Sequence, residues 1–297
     1  MGRRQSVVLV LVGATCMSFA GLCIRLIDNA DGYQILFYRG IAQGLMVWLV
    51  ACSTRQITPI AFPASFDRTD GVIGLLMGCA FCLYVFSILN TSVASTLFIL
   101  SIAPVFAALL AWVFIKEKPA LVACVAILIA LTGVAVMFGA GLDPGRTKGN
   151  LFAVISALAF ACMLVIARKS GKNDVLGGNF LGAILASAAM GLFALTHGSG
   201  LQVSAHDLTI LLIMGAFTIG FGIALVSRAA PNLPAAEVSL LVLLESVLSP
   251  VWVWLFLGEH MTALEILGGA LILASVVLLS VKRQTAAPGV EAGTTDR

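Results

Sequence analysis

Apolar residues run along this chain in blocks of about twenty, the length a helix needs to cross a bilayer. Short polar stretches separate them. Read with a window of about nineteen residues, the pattern predicts ten membrane-spanning helices, over 7–27, 33–52, 71–89, 93–115, 120–138, 149–167, 178–196, 208–227, 235–257 and 263–281. Polar positions inside the blocks do not recur at every second residue, as the strands of a membrane barrel require. Links such as "DNADG", "NTS" and "KEKP" are short enough to make neighbouring helices tight antiparallel hairpins. The tail 284–297 ("QTAAPGVEAGTTDR" follows Arg283) is polar, bears Gly and Pro, and is expected to be disordered. The opening "MGRRQSVVLVLVG" leads into an apolar stretch longer than a signal core and without an A-x-A site, so an uncleaved first span is expected.

Composition agrees with this pattern. The 297 residues are 60% hydrophobic and 10% charged, with a mean hydropathy of +1.08. A soluble chain carries about a quarter charged residues to cover its surface, so this is an integral membrane protein. Basic residues set its orientation. With the N-terminus in the cytoplasm, thirteen Lys and Arg fall on the inner side, against Arg25, Arg146 and Lys148 outside, while Arg39 lies within a span. An even number of spans with both termini inside follows, and an inner (plasma) membrane is the expected location. All seven cysteines lie in apolar runs, and Cys79 and Cys82 have no basic neighbour to activate a thiol. No Cys/His cluster has metal spacing, so neither a metal nor a cofactor is expected.

The chain also repeats itself. An offset of 142 sets "SIAPVFAALLAWVFIKEK" (101–118) beside "LLESVLSPVWVWLFLGEH" (243–260), so that Trp112 meets Trp254, Phe114 meets Phe256 and Glu117 meets Glu259. Five spans per copy is an odd number, so the second copy enters the membrane upside down relative to the first. The fold expected is all-α and polytopic: two inverted five-helix repeats, 1–142 and 143–283, with a substrate site near the midplane between them.

Ten spans in two copies, with "APVFAALLAWVFIKEK" in one and "LLESVLSPVWVWLFLGEH" in the other, resemble the drug/metabolite transporter superfamily, and within it the EamA-type permeases. The resemblance covers about residues 7 to 281 and implies an inner-membrane carrier, commonly an exporter of amino acids or related metabolites working by alternating access. Members often carry Glu-Pro in the ninth span. Here Glu245 is followed by Ser246, and Pro250 lies a turn further on, so a helix break is expected to be displaced.

Glu245 stands near the centre of its span, where a charge costs roughly 3 kcal/mol or more. It is a candidate to bind a substrate ammonium or carry a coupling proton; the competing role is a protonated carboxyl tying helices together. Ser246, Ser249 and Trp252 lie beside it or on the same helical face. Arg39, about two turns inside the second span, suits a substrate carboxylate, or else snorkels to the interface. Gln43 would extend its polarity one turn further. Glu117 is expected to accept the free amides of the helix that follows, Glu237 to sit on a helix dipole, and Asn90 and Asn179 to cap. Walker, G-x-S-x-G and H-E-x-x-H motifs are absent, so nothing in the sequence suggests an enzyme. The expected partners are a small-molecule substrate and the lipid bilayer, not nucleic acid, with a homodimer left open. The alternatives are a carrier of phosphorylated sugars or nucleotide sugars, which needs several deep cations, and more remotely a lipid scramblase or an intramembrane enzyme.

Overall fold

The computed structural model describes residues 2–56, 58, 61–91, 93–138, 147–198, 200–258 and 263–282. Glu259 and the tail 284–297 lie outside them. The described residues are helical throughout their ordered elements, with no strand. In chain order these are α1 (Arg3–Arg25), α2 (Gly32–Arg55), the short α3 (Ala61–Ala64), α4 (Arg68–Asn90), α5 (Val93–Leu100), α6 (Ala103–Ile115), α7 (Leu121–Phe138), α8 (Thr147–Lys169), α9 (Leu176–His197), α10 (Ala205–Ile213), α11 (Phe221–Ala229), α12 (Ala235–Val242), α13 (Leu244–Leu257) and α14 (Ala263–Lys282). A π-helical turn, Met214–Gly220, joins α10 to α11. Eight of the described helical stretches are long and apolar enough to cross a membrane, and two shorter apolar helices cover Leu121–Val136 and Ile266–Leu278. The chain is a multi-pass membrane protein.

Two of the blocks that read as continuous spans are each broken in the middle. Between α5 and α6 the chain tightens at Ser101 and Ile102, where the Ile102 amide bonds the Ile99 carbonyl at 3.1 Å. Between α12 and α13 it tightens at Leu243, whose amide bonds the Leu240 carbonyl at 3.1 Å. Such three-residue bonds are the 3₁₀ geometry used where helices end or hinge. Under the 142 offset the two breaks fall within one residue of each other. The break is therefore not displaced towards Pro250, which lies inside α13. It precedes Glu245 even though Ser246 stands where the first copy has Pro104.

Packing interleaves the chain. α1 lies against α11 and α13, α8 lies against α4 and α6, α2 lies against α9 and the π-helical turn, and α7 pairs with α14. The α1–α11 crossing is close because a side chain on Gly13 would stand 2.7 Å from the Gly222 carbonyl oxygen. At the crossing of α8 and α4, the Ser156 hydroxyl donates to the Ala80 carbonyl at 2.8 Å.

One end of the bundle is tied by ions. Arg3 meets buried Glu237 at 2.9 Å in the first turn of α12. Arg168, at the end of α8, meets Glu117 at 3.4 Å and donates to the Pro231 carbonyl at 3.0 Å. The partner of Glu117 is thus a guanidinium, because the chain turns through a left-handed Lys116 (φ 58°) and carries the carboxylate across to α8. Asn179 does not cap; its amide donates to the Ser227 hydroxyl at 2.8 Å and ties α9 to α11. Asn90 turns back to the Phe86 carbonyl at 2.8 Å.

Lys172 reaches Asp67 at 2.8 Å and also pairs with buried Asp70. Its hydrogen bond, followed by that from the Asp70 amide, holds the Asp67 carboxyl down to about 2 from an ordinary 3.8. A depressed acid stabilises the fold above its ordinary value, and that stability is lost as pH falls through its folded one. Lys172→Gln should therefore lower the unfolding midpoint at pH 7, by less than about 1 kcal/mol through solvated Asp67 and by more through Asp70, whose buried carboxylate loses its charge partner. The difference from the parent should close as pH drops from about 4 towards 2. Thermal scans of the two proteins in detergent at stepped pH check this; a difference that persists in acid contradicts it.

Candidate functional site

The two helix breaks face the same space. A cavity of about 230 Å³ lies between α1, α2, α4, α8 and the broken helices. On one wall stand Leu97, Leu100, Ser101 and Ala103; on the other stand Ser239, Val242, Leu243, Glu245 and Ser246. Under the 142 offset Leu97 pairs with Ser239, Leu100 with Val242, Ser101 with Leu243 and Ala103 with Glu245. The walls are equivalent in the chain and opposite in character. One is apolar, since the Ser101 hydroxyl is already given to the Phe98 carbonyl. The other is polar.

The break explains how the membrane tolerates Glu245. The carboxylate sits in the first turn of α13, where the free amides and the positive end of the dipole favour negative charge. Arg39 reaches the cavity from α2. Its guanidinium lies 5.7 Å from the centre of the Phe81 ring, a cation–π contact, and its Nε, buried, has no hydrogen-bond partner among the described residues. The backbone of α2 can come this deep because a side chain on Gly215, in the π-helical turn, would stand 2.3 Å from the Arg39 carbonyl oxygen. Arg39, Tyr84 and Glu245 all line the cavity, yet no ion pair within 4.0 Å joins Arg39 to Glu245 among the described residues. The cavity thus holds one cation and one acid, unpaired with each other.

Of the six residues singled out from the sequence, Glu245, Arg39 and Ser246 line this cavity. The other three lie elsewhere. The Trp252 indole donates to the Ser18 hydroxyl at 2.8 Å and stacks on Phe19 at 4.4 Å, so it belongs to the α1–α13 contact. Ser249 packs on Gly21 of α1. Gln43 is wholly buried off the cavity wall, and neither atom of its amide is hydrogen-bonded among the described residues. Tyr84 and Ser239 line the cavity and were not singled out. For Ser239 the one available signal was its alignment with Leu97.

Among the described residues, one His/Asp grouping brings possible metal ligands within 4.8 Å of one another: Asp28, His206 and Asp207. The Asp207 oxygens already accept the Asp28 and Asn29 amides at 3.0 and 3.1 Å, which is a structural use.

The EamA-like transporter family model matches residues 4–139 and again residues 147–281. The chain belongs to that family. Its curated relatives include solute carrier family 35 member G1 from Mus musculus, 27% identical over 175 residues, which is 55% of this chain. That match spans 47% of the mouse protein's length, about half. The Homo sapiens protein of the same name is 24% identical over 295 residues, covering 92% of this chain and 78% of that one. A solved crystal structure shares the fold, with a TM-score of 0.80 at 14% identity over 95% of this chain and 100% of its own. This EamA-like protein is thus a membrane transporter, and each of the two family matches contributes one of the broken helices in the cavity wall.

Proposed function

We propose that the chain is a secondary transporter that exports small polar metabolites, such as amino acids, by alternating access. The observation that carries this reading is the cavity in which Arg39 and Glu245 stand unpaired beside two helix breaks. A cation and an acid that do not satisfy each other suit a zwitterion, with its carboxylate on Arg39 and its ammonium on Glu245. Among the described residues Arg39 is the one Lys or Arg on the wall, which disfavours a phosphorylated substrate.

Ten spans in two inverted repeats are the architecture we propose, divided near residue 142. The mirrored packing supports it: α1 on α11 and α13 corresponds to α8 on α4 and α6. Carried through the 142 offset, the Ser156–Ala80 crossing falls on Ala14 and Gly222, one residue from the Gly13–Gly222 approach. Thirteen inner basic residues against three outer ones support an inner membrane with both termini in the cytoplasm.

The test is counterflow. Vesicles containing the purified protein and preloaded with unlabelled amino acids should accumulate labelled amino acid faster than empty vesicles, with sugar phosphates failing to compete. Competition by sugar phosphates alone would transfer the assignment to the phosphorylated class.

A further inference from the structure

We infer that Ser239 contacts the substrate and selects for solutes that carry a hydrogen-bonding group on their body; this rests on the transport reading above. Many of the helical hydroxyls turn back on their own helix. Thr15, Thr132, Thr209, Thr218 and Ser227 each turn back and donate to the carbonyl four residues earlier, at 2.6 to 2.9 Å. Ser239 has the same option at Ala235 and does not take it. Its residue is only 2% exposed, and its oxygen has no partner among the described residues. Ser101 and Ser156, on the same cavity, have both given their hydroxyls to backbone carbonyls.

Buried polar groups without partners are rare in folded proteins because each loses its hydration without replacement. On this cavity wall the described residues leave two such atoms, the Ser239 oxygen and Arg39 Nε. A ligand that fills the cavity is placed to complete both. Packing does not require the hydroxyl, since Leu97 occupies the equivalent place on the opposite wall. Ser239 also lies one break away from Glu245, on the far side of Leu243. It is therefore offered to a part of the ligand other than the one taken by the acid.

L-Threonine and L-valine test this, because they have nearly the same shape and differ by a hydroxyl for a methyl. In the counterflow assay the parent protein should favour threonine by roughly three- to tenfold, the worth of one hydrogen bond. Ser239→Ala should bring the ratio near one while valine still moves, and Ser239→Thr, which keeps the hydroxyl, should retain the preference. A parent ratio near one overturns the inference without any variant, and so does a ratio that Ser239→Ala leaves unchanged. If the parent exchanges other amino acids but neither of these, this inference falls while the transport reading stands; if it exchanges no amino acid, both fall.

Discussion

Arg39→Ala should lower substrate flux by roughly 30-fold to more than a thousandfold while leaving the protein folded. Removing one partner of a buried, hydrogen-bonded charge pair costs about 2–5 kcal/mol of binding, and each 1.4 kcal/mol is about tenfold. The pair in question forms only when a substrate carboxylate arrives, so the empty protein has little to lose. Its Arg39 Nε already lacks a partner, and no ion pair within 4.0 Å to Arg39 is broken by the substitution among the described residues, so the unfolding midpoint should hold. Flux falling while the unfolding midpoint holds is the combined signature, read by initial counterflow rates and thermal scans on the same preparation. Arg39→Lys should recover only part of the flux, because an ammonium has neither the planar fork nor the face that lies over Phe81. Undiminished flux in Arg39→Ala would falsify the assignment of the carboxylate.

Glu245→Ala should also reduce flux, by at least about tenfold, the scale of losing a charge-assisted hydrogen bond of about 1.5–3 kcal/mol. Glu245→Gln should fall as well but less far, since it keeps the shape and a hydrogen-bonding oxygen and loses only the charge. Both variants should fold, because Ala103 occupies the equivalent position in the other broken helix. The measurement is transport by matched amounts of each variant in vesicles. If both transport as well as the parent, the carboxylate is a structural residue and the zwitterion reading loses its second anchor.

A multi-pass helical membrane protein was legible in the sequence because a membrane leaves few alternatives to apolar helices. The interruptions were not. In the first copy Pro104 marks a helix start, but the second has Ser246, and local sequence alone reads 235–257 as one helix. There α12 lies against α6, and no residue of the local sequence marks the break. The same hidden break misdirected part of the site. Ser249 and Trp252 share a helical face with Glu245, but at about 1.5 Å per residue they lie roughly 6 and 10 Å further along α13. The cavity sits at the break, so only the first turn reaches it, and beyond that turn the face covers α1. Gln43 is similarly about 6 Å past Arg39 along α2. Periodicity gives the direction in which a side chain points; how far along the helix the cavity extends depends on the neighbouring helices.

The interleaved packing bears on how the molecule is made. α1 leaves the ribosome well before the helices it lies against, since α11 and α13 begin roughly 200 residues later. At about 5–20 residues per second the delay is on the order of 10–40 s. Through that interval α1 has the glycine surface at Gly13 and the Ser18 hydroxyl, but neither Gly222 nor Trp252 to meet them. The newborn chain must therefore keep α1 in the bilayer, unclaimed by other small-residue helices, until α11 and α13 have been synthesised.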